Sequence, residues 1–103
     1  MSSGTMTIGG VSATVRAEQR VTVRYFAWVR ERVGRAEEQI TVPASVATVG
    51  ELARWLATRG PEYAEAFRRA DVVRAALDQV HVKPSAPLAG VREVAFFPPV
   101  TGG

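Results

Sequence analysis

The chain has 103 residues, which suits one small domain with a single modest core and leaves little room for a second. It carries 13 Lys+Arg against 10 Asp+Glu, a net charge of +3, but the arginines alternate with acids, as in Arg30-Glu31-Arg32, so a solvated mixed-charge surface is expected and no nucleic-acid stripe. With no Cys and one His, a disulfide framework, a thiolate nucleophile and a Cys-based metal site are excluded, and no carboxylate cluster has ligand spacing.

Residues 1–19 are rich in Ser, Thr and Gly and read as a flexible leader or tag-like extension. Within them, Val11 through Val15 alternates weakly and could join a sheet edge. They lack the charged and apolar regions of a signal peptide, and no run approaches the ~18–20 apolar residues of a membrane span, so no membrane association and a cytoplasmic location are expected. The domain proper is expected over 20–97. Val21, Val23 and Tyr25 alternate with Thr22, Arg24 and Phe26, which is strand periodicity and puts Phe26 on the face opposite Val21 and Val23. Residues 28–33 then form a short helical turn closed by Gly34. Gln39 through Val42 is a second strand, ended by Pro43 and antiparallel to the first.

Thr48-Val49-Gly50-Glu51 is a capping box opening the principal helix, in which Val49, Leu52, Ala53 and Leu56 share a face. Gly60 ends that region, and Pro61 suits the first turn of another helix bearing Tyr63, Ala66, Phe67 and Ala70 on one side. Residues 75–83 read as a third main strand, 84–90 as a turn-rich loop, and 92–97 as the last strand. Trp28 and Trp55 read as core or boundary packing. Strands gathered around one principal helix argue for an α+β domain. The economical packing lays the helix from Thr48 across one face of a mixed four- to five-stranded sheet. The first and last strands then lie side by side and parallel at its centre, a β-grasp or ubiquitin-like arrangement.

The last segment, 98–103, stands apart. Pro98-Pro99 cannot continue a ladder and favours an extended chain. Gly102-Gly103 has no side chain and can enter a channel too narrow for other residues. On this reading the main-chain carboxylate of Gly103 is the functional group. A terminal Gly-Gly alone does not separate function from fraying. The whole run Phe96-Phe97-Pro98-Pro99-Val100-Thr101-Gly102-Gly103 resembles the C-terminal signature of the MoaD/ThiS sulfur-carrier family. Upstream, Tyr25 through Gly34, Thr48 through Leu52 and Ala75 through Gln79 resemble the same family in the same order.

That resemblance implies the sulfur-carrier subunit of molybdopterin synthase, itself non-catalytic and binding no cofactor. An E1-like adenylating enzyme would use ATP to adenylate Gly103, and a thiocarboxylate would follow. Inserted into the large subunit, the tail would donate its sulfur to cyclic pyranopterin monophosphate in molybdenum cofactor biosynthesis. The assembly implied has two small and two large subunits, with the active site on the large one. Phe26, His81 and Phe97 are the expected docking residues on the sheet face away from the helix, joined by Pro98, Pro99, Val100 and Thr101. His81 departs from the family's usual apolar residue, and Asp78 from its frequent Asn. The alternatives are a carrier for thiamin or tRNA thiolation, and a ubiquitin-like modifier that conjugates Gly103 to lysines.

Overall fold

Which strands lie at the centre of the sheet decides where the tail emerges. In the computed structural model, residues 18–99 are described, together with the backbone of residues 5–8 and 11–14. The main sheet is built from β3 (Gln19–Tyr25), β4 (Glu37–Val42), β5 (Arg74–Leu77), β6 (Val80–Val82) and β7 (Glu93–Phe97), following a separate pair, β1 (Thr5–Ile8) and β2 (Val11–Thr14). Its order is β4-β3-β7-β5-β6. β3 and β7 pair in parallel, Tyr25 beside Phe96, and the other neighbours are antiparallel. This is the mixed sheet of a ubiquitin-like β-grasp. Val11–Thr14 pairs with Thr5–Ile8 and not with the edge of this sheet.

Residues 75–83 form a hairpin, not the single strand expected from their pattern. The chain turns at Asp78 and Gln79, whose φ values of 47° and 72° are the left-handed pair of a two-residue hairpin turn. An acid and an amide at these positions are a weak turn signal beside Asn-Gly, so the reversal is hard to read from sequence. It supplies the fifth strand.

Three helices follow the expected order: α1 (Ala27–Val33), α2 (Val49–Leu56) and α3 (Pro61–Ala66). Gly34 ends α1 at φ 89°, and its N–H donates to Arg30 O. At α2 the capping box forms: the Glu51 N–H donates to Thr48 Oγ1 at 3.2 Å, and Glu51 Oε1 accepts from the N–H groups of Ala47 and Thr48. Val49, Leu52, Ala53 and Leu56 are buried against the sheet, as their spacing predicts. Gly50 lets α2 approach the 84–88 loop: its N–H donates to Pro84 O at 2.9 Å, and a Cβ there would meet Pro84 at 3.3 Å. Trp28 and Trp55 are partly buried against the core.

The core lies between the helices and one sheet face. Val21, Val23, Tyr25, Ile40, Val42, Val94 and Phe96 enter it from the strands. Alternation sends Thr22, Arg24, Glu93, Ala95, Ala76 and His81 to the opposite face.

Candidate functional site

β7 carries the tail out from the middle of the sheet. Val94 and Phe96 are fully buried on the helix side, and Phe97 points the other way and is half-buried. Pro98 and Pro99 are also half-buried. Val100, Thr101, Gly102 and Gly103, all expected site residues, lie outside the described residues.

Three hydrogen bonds with Asp78 fix where β7 begins. The Asp78 carboxylate accepts from the N–H groups of Arg92 at 3.1 Å and Glu93 at 2.9 Å. The Asp78 N–H donates to Glu93 O at 2.9 Å. An Asn here would keep the accepting Oδ1, so the departure from the family's frequent residue preserves this anchor.

On the face away from the helices the paired strands set out one rung: Glu37, Arg24, Ala95, Ala76 and His81. Ala95 and Ala76 are buried, yet belong to this outer side and not to the helix-side core. Their small side chains leave a low strip between Arg24 and the His81 edge. Phe97 stands beside the strip, its ring centroid 5.1 Å from that of the exposed His81. The sequence-predicted Phe97 and His81 therefore meet. Phe26, 40% exposed, sits at the end of β3, and its N–H donates to Phe96 O at 3.0 Å. It has no ring contact with Phe97 among the described residues; the Arg24 guanidinium lies 5.4 Å from its centroid. Val80, 64% exposed on edge strand β6, was not singled out by the sequence reading. Its surroundings, an alternating Val-His-Val run, carried the signal.

Behind this face lies a polar cluster that the sequence reading did not find. The Glu38 carboxylate accepts from the Tyr25 hydroxyl at 2.8 Å and the Tyr63 hydroxyl at 2.6 Å. Arg35 and Arg59 pair with it at 3.0 and 3.2 Å. Burial would raise the Glu38 pKa, but the two hydroxyls and the two guanidiniums outweigh it and hold it below the ordinary carboxylate value. Burial first, then the bond to the carboxylate, push the Tyr25 and Tyr63 hydroxyls up from theirs. The signal was available: Glu38 has the same strand parity as the core residues Ile40 and Val42. The Tyr25 ring stacks on Phe96 at 6.5 Å, so the cluster braces the residues that directly precede Phe26 and Phe97. Among the described residues no group of three His, Asp or Glu side chains could hold a metal, and no helix is long and apolar enough to cross a membrane.

Comparison with known proteins adds the decisive observation: the ThiS family profile matches residues 23–103, which includes the whole of β7 and the tail. The chain belongs to the ThiS family of sulfur carriers. It is 40% identical over 83 residues to the molybdopterin synthase sulfur carrier subunit of Escherichia coli (strain K12), spanning 81% of this chain and 99% of that one. It also resembles a solved structure from Pyrococcus furiosus described as a putative molybdopterin converting factor, subunit 1. That match has 28% identity and a TM-score of 0.60, over 79% of this chain and 98% of the other. The SAMP1 structure from Haloferax volcanii matches with a TM-score of 0.62 over 82% of this chain and all of the other. At 23% identity it supports the β-grasp fold alone.

Proposed function

We propose that this ThiS-family chain is the sulfur-carrier subunit of molybdopterin synthase, with Gly103 as the group that carries sulfur. The observation that supports the reading best is the family match running through residue 103, joined to the near full-length 40% identity with a carrier of that function. A free α-carboxylate, with an ordinary pKa of about 3.3–3.7, is ionised at neutral pH and resists nucleophilic attack. Attack by a carboxylate oxygen on the α-phosphorus of ATP, with loss of pyrophosphate, makes an acyl adenylate. The outer sulfur of a persulfide donor then displaces AMP at the carbonyl to give an acyl disulfide, and a second thiol attacks the donor-side sulfur, which releases the thiocarboxylate and leaves a disulfide on the donor side. The thiocarboxylate sulfur is the nucleophile delivered to cyclic pyranopterin monophosphate. The chain supplies position and the carried atom; acid–base groups belong to the partner's pocket.

Both the E1-like adenylating enzyme and the synthase large subunit would dock on the Phe26, Phe97 and His81 face. Pro98 and Pro99 would direct Val100-Thr101-Gly102-Gly103 into the partner. ATP is consumed by the adenylating enzyme and is not bound by this chain; the setting is the cytoplasm. The test is intact mass after incubation with the adenylating enzyme, ATP and a sulfur donor. The expected product has one oxygen replaced by sulfur at the C-terminus, and deletion of Gly103 abolishes it. An unchanged mass, or Gly103 joined to lysines of other proteins, overturns the proposal.

A further inference from the structure

Two surface clefts lie back to back at the end of the domain from which the tail leaves. β3, β6 and β7 finish at that end and β5 begins there, as the pairings of Tyr25 with Phe96, Arg74 with Phe97 and Ala75 with Val82 require. One cleft, about 360 Å³, has an apolar floor that includes Phe96 and is bordered by Arg54, Arg74 and Lys83. The other, about 310 Å³, lies against Trp28 and is bordered by Arg32, Arg68 and Arg69. Val73 lines the first and Val72 the second, and the chain then enters Arg74, directly across the ladder from Phe97.

The charge here is lopsided. The six cations share their walls with two carboxylates, Glu65 and Asp71. Glu65 pairs with Arg68 at 3.3 Å and Asp71 with Arg69 at 3.7 Å. Arg32 lies 4.5 Å from the Trp28 ring centroid, and Arg54, Arg74 and Lys83 meet no carboxylate among the described residues. Six cations less two carboxylates leave +4 around the base of the tail. The full chain is +3, so everything else sums to −1. The residues that line the two clefts thus carry a net positive charge larger than that of the whole chain. Like charges gathered there do nothing for folding; they create a field that attracts a negative surface.

We infer that this end docks on an acidic rim surrounding the mouth of the protein that receives the tail. The inference rests on the carrier reading and names the chemistry of the partner. Two features favour an acidic protein over nucleic acid. Arg74, which borders the first cleft, lies directly across the ladder from Phe97, so one partner can bury that aromatic and pair with the charge beside it. Trp28, the aromatic ring in the clefts that could stack on a base, is already covered by Arg32.

The test has two arms. In the first, the isotope-labelled chain is titrated with hexaglutamate, hexalysine and a ten-nucleotide single-stranded RNA, and backbone amide shifts are followed. Hexaglutamate is expected to move amides around both clefts. The combined variant Arg32→Glu, Arg54→Glu, Arg74→Glu and Lys83→Glu should bind it at least about tenfold more weakly. A Gln series at the same exposed positions gives a neutral comparison. In the second arm, association with the synthase large subunit is measured at low and high salt. The reversed variant should associate at least about tenfold more weakly and lose most of the salt dependence. No saturable hexaglutamate shift overturns the inference, as does RNA binding the same amides more tightly. Unchanged association in the reversed variant, with association lost in Phe97→Asp, overturns it while sparing the carrier reading. The hexaglutamate arm reports on the surface even if the carrier reading fails.

Discussion

Replacing Glu38 by Ala is the sharpest test of what holds the docking face in place. The substitution removes the acceptor of two tyrosine hydroxyls, on Tyr25, 1% exposed, and Tyr63, 4% exposed. A buried hydroxyl left unpaired costs about 1–3 kcal/mol. Tyr63 lies near Arg59, whose removal from Glu38 lets water approach, so its share belongs at the low end. The expected loss is therefore about 3 kcal/mol, a large part of the roughly 5–15 kcal/mol that holds a small domain folded. Urea unfolding at neutral pH measures it as a lower midpoint with an unchanged slope.

The cause is checked by a double-mutant cycle. Tyr25→Phe removes the hydroxyl that Glu38→Ala strands, so the pair should cost clearly less than the sum of the two singles. Strict additivity, or a cost below about 0.5 kcal/mol for Glu38→Ala, would refute the reasoning, since surface substitutions fall in that range. The pH dependence carries a definite sign. The folded-state pKa of Glu38 is depressed, so its contribution is complete above the ordinary carboxylate range and is lost as pH falls through the folded value. Tyr25 and Tyr63 are raised, so theirs is complete below the ordinary tyrosine range and is lost as pH rises through the folded values. Glu38→Gln should accordingly show a shallower acid-side decline than the parent chain.

Asp78→Ala removes the acceptor for two N–H groups at the start of β7 and should cost about 1–2 kcal/mol, whereas Asp78→Asn should stay within about 0.5 kcal/mol; equal losses in thermal unfolding would contradict the anchor. Ala27 holds φ at 54°, where an L-residue pays about 1–2 kcal/mol, so Ala27→Gly should raise the melting temperature after its greater unfolded-state entropy is offset. A lower melting temperature would mean that the strain is not there. Phe97→Asp should weaken co-elution with the large subunit by about thirtyfold, or about 2 kcal/mol, with the fold retained by circular dichroism; unchanged co-elution would remove Phe97 from the docking face.

Much of this arrangement is legible in the residues because local and global signals agree. Alternation around Val21, the Thr48 box and the Pro98-Pro99 stop each name an element, and the parallel central pair follows from the crossover they require. The misses have physical causes. The Asp78-Gln79 reversal depends on two left-handed residues that lack the usual glycine. The Glu38 cluster rests on side-chain hydrogen bonds that span up to 25 positions and becomes visible only when strand parity is combined with the position of α3. The basic end is the most instructive miss. Along the chain Arg32, Arg54, Arg68, Arg69, Arg74 and Lys83 are scattered among acids, and folding gathers them while sending most of the acids elsewhere.

The two aromatic contributors to the docking face differ in what a mutation there can reveal. Phe97 belongs to a central strand with neighbours on both sides, so changes at that position bear on fold and recognition together. His81 lies on the edge strand, is exposed, and touches the Phe97 ring. Replacing it disturbs no core contact. His81→Leu should therefore leave stability within about 0.5 kcal/mol. It would extend the apolar surface outward from Phe97 on the same sheet face, and burying an added ~40 Å² against a partner is worth about 1 kcal/mol, or about fivefold in affinity. Association with the synthase large subunit by calorimetry is the measurement. A gain near that size means the partner presents an apolar surface at this point. A loss of affinity with the fold intact would refute that account and show that the partner has a polar group matched to the imidazole of this chain.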